Sequence, residues 1–199
     1  MMSDNLVKYN IAVVGATGQV GEALFEILHE RQFPIKNIFA LASSKSLGKI
    51  ITCGERTIQI SELSKFDFAQ VDIAFFSAGG EVSSKYVPKA TAANCVVIDN
   101  TSTFRYESNI PLIVPEVNSS EIKHFKKTNI IANPNCSTIQ MVVALKPIHD
   151  TYGIKRVNVS TYQSVSGSGR SGIEELAAQT SSLLNAKGIE KNIYPEQIA

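Results

Sequence analysis

The chain has 199 residues, enough for one full domain and a piece of a second. Its 44% hydrophobic and 19% charged residues are ordinary globular values that exclude a disordered chain, and a formal net charge of +1 supplies no field to hold nucleic acid or a membrane surface. Cys53, Cys95 and Cys136 lie far apart without a CxxC pair, which excludes a zinc knuckle and a disulfide framework; no metal is expected, and a reducing cytoplasmic setting is.

The N-terminal stretch MMSDNLVKYN carries an acid and no apolar h-region, so no secretory signal is expected. Tyr9 to Val14 is a short apolar run ending at Gly15, the pattern of a buried parallel strand. Val20, Ala23, Leu24, Ile27 and Leu28 then fall at the spacing of an amphipathic helix. A second strand is expected over Asn37 to Ala42. Lys49 to Cys53 and Arg56 to Ile60, separated by Gly54-Glu55, read as a hairpin. Val71 to Phe76 and Cys95 to Asp99 are further strands. Glu81 to Ala93 between them is helical, with Pro88 expected to kink or split it. Strand and helix alternating in this way predict an α/β fold, a Rossmann-like doubly wound parallel sheet.

The basic cluster Lys123 to Lys127 around His124 reads as a solvated helix face, and no apolar run approaches the roughly 20 residues of a membrane span. Asn133-Pro134-Asn135 is a turn, and Cys136 to His149 has helical spacing. Arg156 to Tyr162 alternates like a strand with one wet face, Ser164 to Gly172 is rich in Gly and Ser, and Ile173 to Leu184 returns to helix. A boundary is therefore placed near residue 133: residues 1–133 form the first domain, and 134–199 an incomplete second one, too small to close an apolar core alone.

Two places carry chemistry. Gly15-Ala16-Thr17-Gly18-Gln19-Val20-Gly21 is a GxxGxxG run between the first strand and its helix. Glycines there permit a tight turn and let backbone N–H groups approach a pyrophosphate, so a dinucleotide site is expected. At the end of the second strand, Ala42-Ser43-Ser44-Lys45-Ser46 lacks the acid that would accept from a ribose 2′-OH. Hydroxyls with Lys45 suit a 2′-phosphate, which favours NADP. The second place is Cys136 at the head of a helix, where the dipole stabilises a thiolate and free N–H groups could receive an oxyanion. Cys53 and Cys95 are read as structural.

With these residues in view, GATGxVG, ASSKS, SAGG, DNTSTFR, VPEVN, NPNCSTIQ and STYQSVSGSG stand in the order found in aspartate-semialdehyde dehydrogenases, and nearly all of the chain resembles that family. N-acetyl-glutamyl-phosphate reductase is a weaker match because it differs around the cysteine. The resemblance implies an NADP-binding domain followed by the start of a catalytic and dimerisation domain, α+β in class. It places Gly15, Thr17, Gly18, Gln19 and Val20 in the phosphate turn, and Lys45 and Ser46 at the 2′-phosphate. Lys45 stands where an arginine is common and replaces a planar fork with a point charge. Asn100 and Arg105 match the residues that meet the acyl-phosphate or inorganic phosphate, and Asn135 shapes the site. Cys136 matches the thioester nucleophile, Gln163 the residue that orients the substrate carbonyl, and Ser166 and Gly167 a second cofactor contact.

The implied reaction is conversion of L-aspartyl-4-phosphate to aspartate 4-semialdehyde with release of phosphate, a step toward lysine, methionine and threonine. The partners are those small molecules, with a homodimer as the family's assembly. The resemblance also implies a general acid/base histidine and a carboxylate-binding arginine from later in the catalytic domain, and the chain stops at Ala199 before them. His149 lies thirteen positions beyond Cys136, about 20 Å along one helix, and neither His124 nor His29 has a reason to face the thiol. Proton transfer contributes about 10²–10⁴-fold, so severe impairment of this polypeptide alone is expected. The competing expectation is a non-catalytic NADP-binding remnant.

Overall fold

The computed structural model describes residues 7–199. Seven strands form one sheet in the order β3-β4-β2-β1-β5-β6-β7. They are β1 (Tyr9–Val14), β2 (Ile35–Ala42), β3 (Ile50–Cys53), β4 (Arg56–Glu62), β5 (Ile73–Phe76), β6 (Val96–Asp99) and β7 (Ile130–Ala132). Every pairing is parallel except β3 with β4, the hairpin around Gly54-Glu55. The expected doubly wound α/β sheet is thus present. The helices are α1 (Gln19–Glu30), α2 (Gly80–Ala92), the short α3 (Pro115–Asn118), α4 (Cys136–Tyr152) and α5 (Gly169–Leu184).

Alternation along the central strand sends side chains to both faces. Ala12 and Val14 join Leu41, Ala74, Phe76 and Val97 under Val87 and Ala90 of α2. Val13 joins Ala40, Ala42, Ile58 and Ile60 under Phe25 of α1. Phe25, Phe76, Val13 and Val14 are wholly buried. Burial on both faces explains why the strands read as continuous apolar runs.

Several expectations change. Of the predicted stripe on α1, only Leu28 is buried, while Val20 and Ile27 are 51% and 45% exposed. The helix turns Gly21, Phe25 and Leu28 inward instead, because Gly21 must meet the turn behind β1. Pro88 does not split α2, which runs on to Ala92 with Val87 and Ala90 anchored on the sheet. The short β7 escapes a pattern search, being three residues launched from Asn129 at a positive φ of 56°.

The chain divides into compact units at Met1–Ile154 and Lys155–Ala199, at the end of α4 rather than at its start. The expected strand over Arg156 to Tyr162 is not formed: these residues have no strand pairing, and Val157, Val159 and Tyr162 are exposed. An edge pattern without a neighbour has nothing to bond its backbone. In the second unit the buried side chains are Glu175 and Gln179, both polar. The Glu175 carboxylate accepts from the backbone N–H groups of Asn192, Ile193 and Tyr194, while Gln179 Oε1 accepts from Ile198 at 2.9 Å. Hydrogen bonds rather than an apolar core tie its tail to α5.

Candidate active site

The glycine turn lies at the sheet's switch point. From β1 the order runs to β2 on one side and to β5 on the other, and ligands of open α/β sheets bind beyond the strand ends at such a point. Gly15 and Ala16 donate to Leu41 O at the end of β2 (2.9 and 3.2 Å). Gly15 has φ +89°, and a Cβ there would stand 2.9 Å from the Ser77 backbone, so the loops after β1 and β5 meet at a contact that only glycine permits. Gly18 caps α1 with extended backbone and no side-chain bond to the helix N–H groups. Thr17 is half-buried, and Gln19 and Val20 are exposed beside it. Lys45 and Ser46 sit on a single 3₁₀ turn straight after β2, with Lys45 exposed.

A second cluster forms where β6 and β7 end. Arg105 Nε donates to Asn133 O (2.9 Å) and one Nη to Asn100 O (2.8 Å). Asn133 Nδ2 donates to Asn100 Oδ1 (2.6 Å), and Asn133 N–H to Asp99 O (2.8 Å). Two of the five guanidinium N–H donors are thereby spent on main-chain carbonyls and the other Nη stays available, a fork suited to an anion. Pro134 and Asn135 lead from Asn133 into α4. Asn135 Oδ1 accepts from Ser137 N–H (3.0 Å) and Ser137 Oγ (2.6 Å), an N-cap that sets Cys136 as the first helical residue. Cys136 is exposed rather than packed among apolar groups. Sequence spacing alone does not single out Asn133; the signal available was its place just ahead of the Cys136 turn.

Cys53 and Cys95 are structural, as expected. Cys53 Sγ lies 3.3 Å from Phe25 O, and burial pushes its thiol up, with Arg56 opposing. Burial, reinforced by the Asp72 carboxylate, pushes Cys95 from its ordinary 9.0 up to about 12. A raised thiol pKa favours the folded state below the ordinary value, and that contribution is lost as pH climbs from 9.0 toward about 12. At about pH 8, where the thiolate is the reacting form, iodoacetamide should therefore modify one thiol, Cys136, in the native chain and all three in denaturant. Peptide mass mapping reads the positions, and native labelling of Cys95 at that pH would contradict it.

The three histidines have local roles. His29 packs over Gly54, His124 pairs with Glu121 at 3.2 Å, and His149 Nδ1 accepts from Ile154 N–H at 3.2 Å. In the second unit, Gln163 is exposed at the head of the Ser-rich turn. Ser166 Oγ lies 2.8 Å from Ser164 Oγ, and Gly167 N–H donates to Ser164 O (3.1 Å).

A glycine turn at a parallel-sheet switch point, facing a second glycine loop after β5, defines a dinucleotide-binding domain. A free cysteine heading a helix and a fixed arginine accompany it. The chain belongs to the semialdehyde dehydrogenase family: the model for the NAD binding domain matches residues 10–125, and the one for the dimerisation domain residues 145–199. That membership supports a nicotinamide cofactor. The chain is 58% identical over 190 residues to an aspartate-semialdehyde dehydrogenase of Legionella pneumophila, covering 96% of this chain and 55% of that protein. It superimposes with a TM-score of 0.91 and 55% identity on aspartate semialdehyde dehydrogenase II of Vibrio cholerae complexed with ASA, covering 98% of this chain and 58% of the other. The enzyme of Candida albicans, crystallised with NADP, matches at 0.64 and 26% identity over 74% of this chain and 48% of its own. The chain thus spans a little over half the length of the Legionella and Vibrio relatives.

Proposed function

We propose that the chain carries the cofactor-binding and nucleophilic half of an NADP-dependent aspartate-semialdehyde dehydrogenase, converting L-aspartyl-4-phosphate to L-aspartate 4-semialdehyde. The observation that supports this reading most is the exposed Cys136 at the start of α4, with Arg105 bonded to the carbonyl of Asn133 just ahead of it.

Cys136 Sγ attacks the acyl carbon; a C–S bond forms, the C–O bond to phosphorus breaks, and phosphate leaves with the electron pair. Arg105 meets its charge. The helix N–H groups of Cys136 and Thr138, which lack intrahelical acceptors, hold the oxygen of the reacting carbonyl. NADPH, when bound, supplies the two-electron hydride equivalent that reduces the thioester. The Cys136 hemithioacetal then collapses, releasing the aldehyde and restoring the thiol. Asn100 and Asn135 shape the phosphate and thiol pockets. The residues suit the cofactor: Gly15 lets the loops after β1 and β5 close on each other, Gly18 has nothing nearer than Gly15 O at 3.4 Å where a Cβ would stand, and the first-turn N–H groups of α1 face the turn. Thr17, Gln19 and Val20 line the pyrophosphate turn. The dimerisation-domain match over residues 145–199 supports a homodimer as the assembly.

Lys45 and Ser46 select the 2′-phosphate. Lys45→Ala is therefore expected to raise the NADPH dissociation constant about tenfold and leave NADH binding unchanged, read by cofactor fluorescence. Equal losses for both cofactors would remove Lys45 from this role.

The reading is tested by mixing the chain with aspartate semialdehyde, phosphate and NADP⁺ and following NADPH absorbance over many turnovers. Sustained NADPH formation, beyond one equivalent per chain, should need all three, because phosphate is what frees Cys136 from the thioester. Cofactor binding without NADPH formation would make the chain a binding-only remnant. Sustained formation that ignores phosphate would make it a phosphate-independent aldehyde dehydrogenase.

A further inference from the structure

Asp99 ends β6 wholly buried, and so does Ser83 on α2. Ser83 Oγ donates to Asp99 Oδ1 and Thr101 Oγ1 to Asp99 Oδ2, each at 2.7 Å. Thr103 N–H donates to Thr101 Oγ1 (3.3 Å), and Thr103 Oγ1 to Gly80 O at the head of α2 (3.2 Å). The surroundings are otherwise apolar: Val97 lies two residues back on β6, Phe76 on the adjoining β5 and Val87 on the helix, all in the core. A buried carboxylate in such a place costs stability unless its oxygens are matched, and a helix–sheet contact has no need of one. Packing therefore does not account for it.

The main-chain bonds of Asp99 and the next residue, Asn100, give it a reason. Asp99 O accepts from Asn133 N–H (2.8 Å), and Asn100 N–H donates to Phe76 O (2.9 Å). Asn100 O and Asn133 O are the two carbonyls that hold Arg105, and Asn100 Oδ1 holds the Asn133 amide. The spacing of those carbonyls sets the plane of the guanidinium. The Asp99 side chain fixes one of them by clamping the chain between α2 and the Thr101 turn.

We infer that Asp99, with Ser83 and Thr101, is a positioning residue that aims Arg105 at its anion. The inference rests on Arg105 binding phosphate, as proposed above. A charge-assisted pair gives a better-defined geometry than neutral contacts, which suits a fork that must meet two oxygens at once.

The test uses the full chain and inorganic phosphate as probe, reading how phosphate slows alkylation of Cys136. Wild type should show saturable protection that Arg105→Ala abolishes. Thr101→Val, which keeps shape and removes the hydroxyl, should raise the half-protecting phosphate concentration about tenfold with NADPH affinity unchanged. Thr101→Ser should restore it, a rescue that a merely structural role would not require. Asp99→Asn serves as a second variant and should shift protection in the same direction. If Thr101→Val lowers the melting temperature but leaves the half-protecting concentration as in wild type, the positioning role is overturned while phosphate binding at Arg105 stands. Absence of protection in wild type overturns both.

Discussion

Cys136→Ala is expected to abolish NADPH formation, both the first equivalent and the phosphate-dependent turnover, while leaving NADPH affinity where it was. The side chain lies outside the glycine turn and is exposed, so its removal opens no cavity and breaks no hydrogen bond of the fold. The chemistry depends on it entirely, since without sulfur no thioester forms and neither the C–O cleavage nor the reduction has a substrate. Removing a nucleophile of this kind costs on the order of 10⁴- to 10⁶-fold in rate. Cys136→Ser separates sulfur from shape: a hydroxyl at the same place, on the same Asn135 cap, is much harder to ionise and should be nearly as inactive. Rapid-mixing absorbance together with intact-protein mass, which detects the acyl adduct, decides the matter. An adduct on Cys136→Ala would move the nucleophile elsewhere.

The second large effect is expected at Gly21. A Cβ on this residue would stand 2.3 Å from Gly15 O and 2.9 Å from Ala16 Cα, both backbone atoms that cannot swing aside. Gly21→Ala must therefore lift α1 from the turn or distort the turn itself, at a cost of about 3 kcal/mol, the upper end of overpacking. For a chain of this size that lowers the melting temperature by roughly 6–12 °C. The turn that moves is the one proposed to hold the pyrophosphate, so NADPH binding should weaken more than tenfold in the same variant. Gly18→Ala is the control. Gly18 has φ −89°, and its added Cβ would come no closer than 3.4 Å to Gly15 O, so the fold should melt as wild type does. Thermal unfolding by circular dichroism reads both variants, and a Gly21→Ala chain as stable as wild type would sink the packing argument.

Much of this was legible in the residues because it is local. The strand β1 announces itself as an apolar run closed by glycine, and the hairpin by Gly54-Glu55 between two alternating stretches. The Asn135 cap and the α4 start at Cys136 follow from an Asx residue ahead of helical spacing. Where the reading departed from the structure, a distant partner decided. On α1, Val20 and Ile27 have the right spacing for a buried stripe, yet the sheet and hairpin lie against Gly21, Phe25 and Leu28. Residues 156–162 alternate like a strand and form none, since no strand stands beside them.

The sequence by itself determined the doubly wound sheet, the glycine turn and the position of Cys136 at the head of α4, because periodicity and turn chemistry act over a few neighbouring residues. Only the tertiary structure decided that Asn133 and Asn100 share the holding of Arg105, and that Ser83 and Asp99 meet across the α2–β6 interface. Ser83 lies 16 residues from Asp99, and Asn133 lies 28 from Arg105. No local preference spans such gaps; the parallel register of β6 and β7, fixed by burial on both faces of the sheet, brings these groups within hydrogen-bonding reach.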